Sequence, residues 1–104
     1  MREPTYFVLA ALQDEPRHGY AIMTRVADLS GGRLKLATGT LYQALDRLTR
    51  EALIEVVREE VVNGRARRHY ALTPHGRSAL QAEAVRLSEA ARIVLHPRPA
   101  AGPA

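Results

Sequence analysis

The dipeptide Asn63-Gly64 constrains this chain more than any other feature, because Asn-Gly between two strand-like runs specifies a two-residue hairpin turn. Before it, Ile54, Val56 and Arg58 alternate with Glu55, Val57 and Glu59, the period of a strand with two unlike faces. After it, His69 to Leu72 reads as the return strand, with Tyr70 and Leu72 on one side. The long periodic segments on either side of this hairpin read as helices. The expected class is therefore mainly α with a small β-hairpin, an α+β fold.

The first helix is predicted from Thr5 to Gln13, with Pro4 at its start and an apolar stripe of Phe7, Val8, Ala11 and Leu12, widened by Leu9. Asp14-Glu15-Pro16 stops it. A second helix begins at His18-Gly19 and runs to Leu29, with Ile22, Val26 and Leu29 on one face and Ser30-Gly31-Gly32 at its end. In His18-Gly19-Tyr20, His18 reads as a helix-start residue and Tyr20 as a packing residue.

A third helix spans Thr38 to Glu51, with Thr38 or Thr40 as its cap. Leu41, Ala44, Leu45 and Leu48 form a narrow apolar face, opposite Thr40, Tyr42, Gln43, Asp46, Arg47 and Arg50. The last helix starts at Thr73-Pro74 and reaches Leu95. Its residues Leu80, Ala84, Leu87, Ala91 and Val94 make a heptad seam of the kind that pairs helices along their length. The expected organisation is a DNA-binding domain over 1–73, a dimerisation helix over 74–96 and a disordered Pro-, Ala- and Gly-rich tail over 97–104.

Charge narrows the function. The chain nets +4, and Val61 to Arg77 holds Arg65, Arg67, Arg68 and Arg77 with no acid, so the whole excess lies in one short segment. A concentrated basic patch suits phosphate neutralisation. Other chemistries are poorly served. Cysteine is absent, the four histidines lie in separate elements, and Glu59-Glu60 point to opposite faces of a strand. No phosphate loop or nucleophile elbow is present, so no enzyme activity, metal or cofactor is expected. No apolar run is long enough for a membrane span and no leader pattern opens the chain, which points to the cytoplasm.

Two short helices joined by a turn present the second outward, where it enters a major groove about 12 Å wide. In that role Gln43 pairs with adenine and Arg47 with guanine, while Thr40 and Tyr42 reach bases or phosphates. The helix start at Thr38-Gly39 attracts phosphate through its free N–H groups. The hairpin, with Gly64, Arg65, Arg67 and Arg68, lies beside it as a wing. The fold expected is a winged helix-turn-helix.

These residues resemble the PadR family of transcriptional regulators in its short form. The resemblance lies in His18-Gly19-Tyr20, Gly39-Thr40-Leu41-Tyr42 with Leu45 and Leu48, Gly64-Arg65-Ala66-Arg67-Arg68-His69-Tyr70, and Leu72-Thr73-Pro74-His75-Gly76. It covers roughly Tyr6 to Leu80. It implies a homodimer, the last helix packing on the partner's first and last helices, with Tyr6 and Leu9 joining the seam residues. It also implies an inverted-repeat operator in double-stranded DNA, and repression relieved by a small-molecule effector. Two positions depart from the family pattern: Gln43 stands where proline is frequent, and Ala52 where glycine usually ends the third helix. If Ala52 is left-handed, alanine costs about 1 kcal/mol there. The competing readings are a winged-helix protein-interaction module that does not bind DNA, and a small-molecule carrier with a pocket between two copies.

Overall fold

A computed structural model describes residues 1–100 of the chain. Its elements run α1 (Glu3–Ala10), β1 (Arg17–His18), α2 (Gly19–Leu29), α3 (Thr38–Arg50), β2 (Ile54–Val62), β3 (Arg65–Leu72) and α4 (Pro74–Leu95). The α+β class and the winged arrangement are those expected from the sequence. One core joins every helix to the sheet. Val8, Leu9 and Leu12 meet Ile22 and Val26, the α3 leucines Leu41, Leu45 and Leu48, and Ile54, Tyr70, Leu72 and Leu80. Each large aliphatic side chain fully buried there contributes about 1.5–3 kcal/mol.

α1 starts and stops earlier than the expected Thr5–Gln13. Glu3 and Pro4 occupy its first turn. Its end tightens, with Leu12 N–H donating to Leu9 and Gln13 N–H to Ala10, each at 3.1 Å and three residues back. β1 was not anticipated. Two residues carry no readable period, yet Arg17 pairs with Tyr70 and His18 with His69, so β3 becomes the middle strand of the order β1-β3-β2. His18 then caps α2, its Nδ1 accepting from Ala21 N–H at 3.3 Å.

The hairpin turns at Asn63 (φ 52°) and Gly64 (φ 77°), both left-handed as a type I′ turn requires. The alternation expected along β2 fails at Val57. Val56 pairs with Tyr70 and Arg58 with His69, so Val57 is an extra residue, a β-bulge. Beyond it the hairpin leaves the core, and Val57 and Val61 are exposed.

α3 ends in a Schellman motif: Leu53 N–H donates to Leu48 O at 3.0 Å and Ala52 N–H to Thr49 O at 3.1 Å. Ala52 holds the left-handed position, φ 59°. This end is tied to the start of α4. Thr73 Oγ1 donates to Ala52 O at 2.6 Å, Thr73 N–H donates to Leu53 O at 3.2 Å, and Thr73 Oγ1 accepts from Gly76 N–H at 2.9 Å. A Cβ on Gly76 would stand 1.9 Å from Leu53 O, so the close approach excludes any side chain there.

The first part of α4 packs on α1 and β3, and the rest projects away; the described molecule measures 72 × 28 × 21 Å. Two of the expected dimer-seam residues are thereby used up, since Leu9 (0% exposed) and Leu80 (4%) lie in the chain's own core. Tyr6 is half-buried against that core. Residues 97–100 of the expected tail adopt no helix or strand, and 101–104 lie outside the described residues.

Candidate nucleic-acid interface

α3 begins without a capping side chain. Its N-cap residue is Ala37, and neither Thr38 nor Thr40 caps it as expected, because the threonines already lie inside the helix. The first N–H groups of a helix have no intrahelical acceptor, so this end offers donors and the positive end of the helix dipole. Thr38, Gly39 and Thr40 are all exposed, and a Cβ on Gly39 would meet nothing within 4 Å. The end is open to an anion.

Between α3 and the wing runs a groove of about 890 Å³, lined by Tyr42 and Asp46 from α3, by His18, Gly19 and Tyr20 from the start of α2, and by Arg65, Arg67 and Arg68 from the wing. Tyr42 is held in place from below, since a Cβ on Gly19 would lie 2.5 Å from its Oη. Gly19 is thus the seat of the Tyr42 ring. Tyr20 is 73% exposed on the same wall and packs in no core, contrary to the sequence reading. Position 20 lies in the first turn of a helix whose apolar face is carried by Ile22 and Val26, and Tyr20 is turned outward.

The wing arginines divide. Arg68 Nε donates to Glu59 at 3.0 Å across the strands, an exposed, solvent-screened pair easily exchanged for another anion. Arg65 and Arg67 make no side-chain hydrogen bond or ion pair among the described residues. At the wing's base His69 is buried, with Nε2 2.8 Å from Glu60 Oε1 and its ring edge-on to His18 at 5.5 Å. The hydrogen bond from His69 holds the Glu60 carboxyl below its ordinary value. Burial, then the charges of Arg67 and His69, push His18 below the usual histidine value, with Glu60 opposing. A neutral His18 is what its capping role requires.

On the other flank of α3 a second cleft, about 580 Å³, is lined by Arg2 and Thr5 near α1 and by Thr40, Gln43, Arg47 and Arg50 of α3. Arg47 turns back here, its guanidinium donating to Thr5 Oγ1 at 2.8 Å and to Glu51 at 3.1 Å. It braces α3 on α1, a use of the residue that spacing within one helix did not reveal. Gln43 remains free on the exposed ridge. The geometry therefore brings Tyr42, Arg65, Arg67 and Arg68 into one groove and Thr40 and Gln43 into the cleft on the other flank of α3, leaves Thr38, Gly39 and Gly64 exposed outside both, and draws Arg47 partly aside.

An open helix start, a polar ridge and an arginine wing across a groove define the class of winged-helix regulatory proteins. Residues 8–82 match the family described as Transcriptional regulator PadR-like family, and the chain belongs to it. The family consists of transcriptional regulators rather than enzymes. The chain is 46% identical over 77 residues to an uncharacterised 37.1 kDa transposon protein of Streptomyces fradiae, covering 74% of this chain and 21% of that one. It is 41% identical over 83 residues to a transcriptional regulator of Mycobacterium tuberculosis, covering 80% of this chain and 64% of the relative. The chain thus spans less than two thirds of the length of either relative.

Solved structures agree on the fold. A PadR-like transcription factor from Bacteroides fragilis matches with TM-score 0.76 at 29% identity, over 91% of this chain and 89% of that one. The PadR of Bacillus subtilis, solved in complex with operator DNA, matches with TM-score 0.73 at 22% identity, over 99% of this chain and 55% of that one. No helix among the described residues is long and apolar enough to cross a membrane.

Proposed function

We propose that the chain is a sequence-specific DNA-binding repressor that acts as a homodimer. The observation that carries this is the groove in which Tyr42 and Asp46 of α3 face the unpaired arginines Arg65 and Arg67 of the wing, on a helix whose start is left uncapped. In the proposed complex α3 enters a major groove, where Gln43 and Tyr42 meet base edges, and the wing lies on the neighbouring backbone or minor groove. A protein of the same fold, the PadR of Bacillus subtilis, forms a complex with operator DNA. Two copies related by a two-fold axis read an inverted repeat with half-sites about 10 bp apart, or a multiple of it.

The second copy is supported by α4. Past the core its exposed apolar side chains include Leu87, Val94 and Leu95, the last two more than 70% exposed. A long helix with such a face is stabilised by packing against another element rather than by its own propensity. Leu87, Ala91 and Val94 keep the heptad spacing and form the partner-facing part of the proposed seam, with half-buried Ala84 at its inner end. Release from DNA by a small-molecule effector completes the proposal on the strength of family membership.

The test is fluorescence anisotropy with duplexes recovered by in vitro selection and with scrambled controls. Arg65→Ala and Arg67→Ala each weaken binding to all sequences alike and lower the salt slope by about 1. Gln43→Ala changes the preferred sequence instead. Absence of salt-dependent binding to any duplex refutes the proposal, and a stoichiometric protein partner retained without DNA would favour a protein-interaction module.

A further inference from the structure

The exposed ridge of α3 carries one group that does not suit a phosphate-binding surface. Asp46 is exposed and lines both clefts, the one beneath the wing and the one beside α1. Among the described residues it is the only acid lining either. Arg65, Arg67 and Arg68 stand on one side of it and Arg2, Arg47 and Arg50 on the other. Despite this company Asp46 makes no ion pair among the described residues. Arg47 pairs with Glu51 and Arg68 with Glu59, and Arg50, one helical turn on, does not bond to it. The carboxylate is thus left free on the crest of the helix, with cations set back in both flanks.

We infer that Asp46 is a specificity-determining residue that accepts a hydrogen bond from an exocyclic amino group in the major groove, cytosine N4 first and adenine N6 second. The inference rests on the DNA-binding reading above. An ionised carboxylate only accepts hydrogen bonds. In the major groove the base-edge donors are the amino groups of cytosine and adenine, whereas guanine N7 and O6 and thymine O4 are acceptors that repel it. Phosphates repel it too, so the acid is tolerable only where the backbone strands run over the arginines on either side and the crest between them faces bases. Cytosine ranks above adenine because adenine places its N7 acceptor beside the amino group. Gln43, three residues earlier on the same ridge, offers both donor and acceptor and reads a neighbouring position. The arginines supply attraction for any duplex, and Asp46 subtracts from that attraction wherever no amino group answers it.

The experiment is in vitro selection of bound duplexes with the full chain and with Asp46→Ala and Asp46→Asn, followed by anisotropy on matched and scrambled DNA. Circular dichroism confirms that each variant folds, as expected for an exposed site. The wild-type motif is expected to hold cytosine, or less often adenine, at one symmetric position per half-site. Asp46→Ala should flatten that position alone, lowering discrimination there about tenfold, while scrambled duplex binds more tightly. Asp46→Asn should admit guanine at the same position, because the amide adds a donor. Identical motifs from wild type and Asp46→Ala overturn the inference, whether or not affinity rises, since the acid would then act on charge alone. If the wild type binds no duplex, the DNA-binding reading fails and takes this inference with it. That result is distinct from a motif that ignores Asp46.

Discussion

Replacing Ala52 with glycine should stabilise the protein, although it removes a methyl group and adds no contact. Ala52 sits at φ 59°, where the Cβ of an L-residue crowds the following carbonyl at a cost of about 1–2 kcal/mol. It is held there from both sides. The Schellman bonds to Leu48 and Thr49 fix the end of α3, and Thr73 Oγ1 grips the Ala52 carbonyl at 2.6 Å. The residue cannot relax without losing those bonds. Glycine removes the strain but gives the unfolded chain more freedom, worth about 0.4–1 kcal/mol in the opposite direction. The net gain is on the order of 0.5–1 kcal/mol, which for a domain of this size raises Tm by about 2–8 °C. Thermal melts and urea titrations with an unchanged m-value measure it. Asn63 is an internal control. It is also left-handed, at φ 52°, but asparagine accepts that region readily, so Asn63→Gly should change little. An Ala52→Gly protein no more stable than wild type, or an Ala52→Val protein as stable as wild type, would refute the strain argument.

Gly76→Ala should act in the opposite sense and destabilise by roughly 1–3 kcal/mol, because its Cβ meets the Leu53 carbonyl, which is backbone and cannot rotate aside; the same melts read it. Stability should fall as pH drops below the ordinary histidine value near 6.5. Between that value and the lower one of native His18, the unfolded chain holds a proton that the native chain does not, so stability rises with pH through the window and is complete above it. His18→Asn keeps a helix-capping acceptor without the titration, and a wild-type minus variant difference that is flat from pH 5 to 7.5 would contradict this reading. Leu87→Glu combined with Val94→Glu should convert a dimer to a monomer in light scattering while leaving the melt of the core intact, since both side chains lie outside it. A double variant that stays dimeric would remove α4 from the interface.

Features governed by neighbours along the chain were legible in the sequence. Asn63-Gly64 set the hairpin, Thr73-Pro74 set the start of α4, and Ile22, Val26, Leu41, Leu45 and Leu48 named much of the core. The left-handed position at Ala52 was suspected on other grounds, from the family resemblance that places glycine where α3 ends. Features governed by distant partners were not legible. β1 exists because β3 offers it an edge, and Val57 is an extra residue only relative to the strand opposite. Leu9 and Leu80 looked available to a second chain because periodicity gives a face but not its occupant. Arg47 looked free until α1 placed Thr5 within its reach. The exposed face of α3 was legible as a set of residue types. The division of labour within it, with arginines in the flanks and an acid on the crest, needed the clefts themselves.

The knot of bonds among Ala52, Leu53, Thr73 and Gly76 has a mechanical consequence. It clamps the end of α3, both feet of the wing and the start of α4 within a few residues, so these elements turn as one piece. α4, with 22 residues, is a lever about 33 Å long on that clamp. A tilt of about 10° at the clamp swings its far end by roughly 6 Å, and a displacement of about 1 Å at the far end turns the clamp by under about 2°. Two copies joined at their lever tips would thus hold the pitch of their reading helices to a fine tolerance. To change that pitch enough to miss one half-site, the tips would have to travel several ångströms.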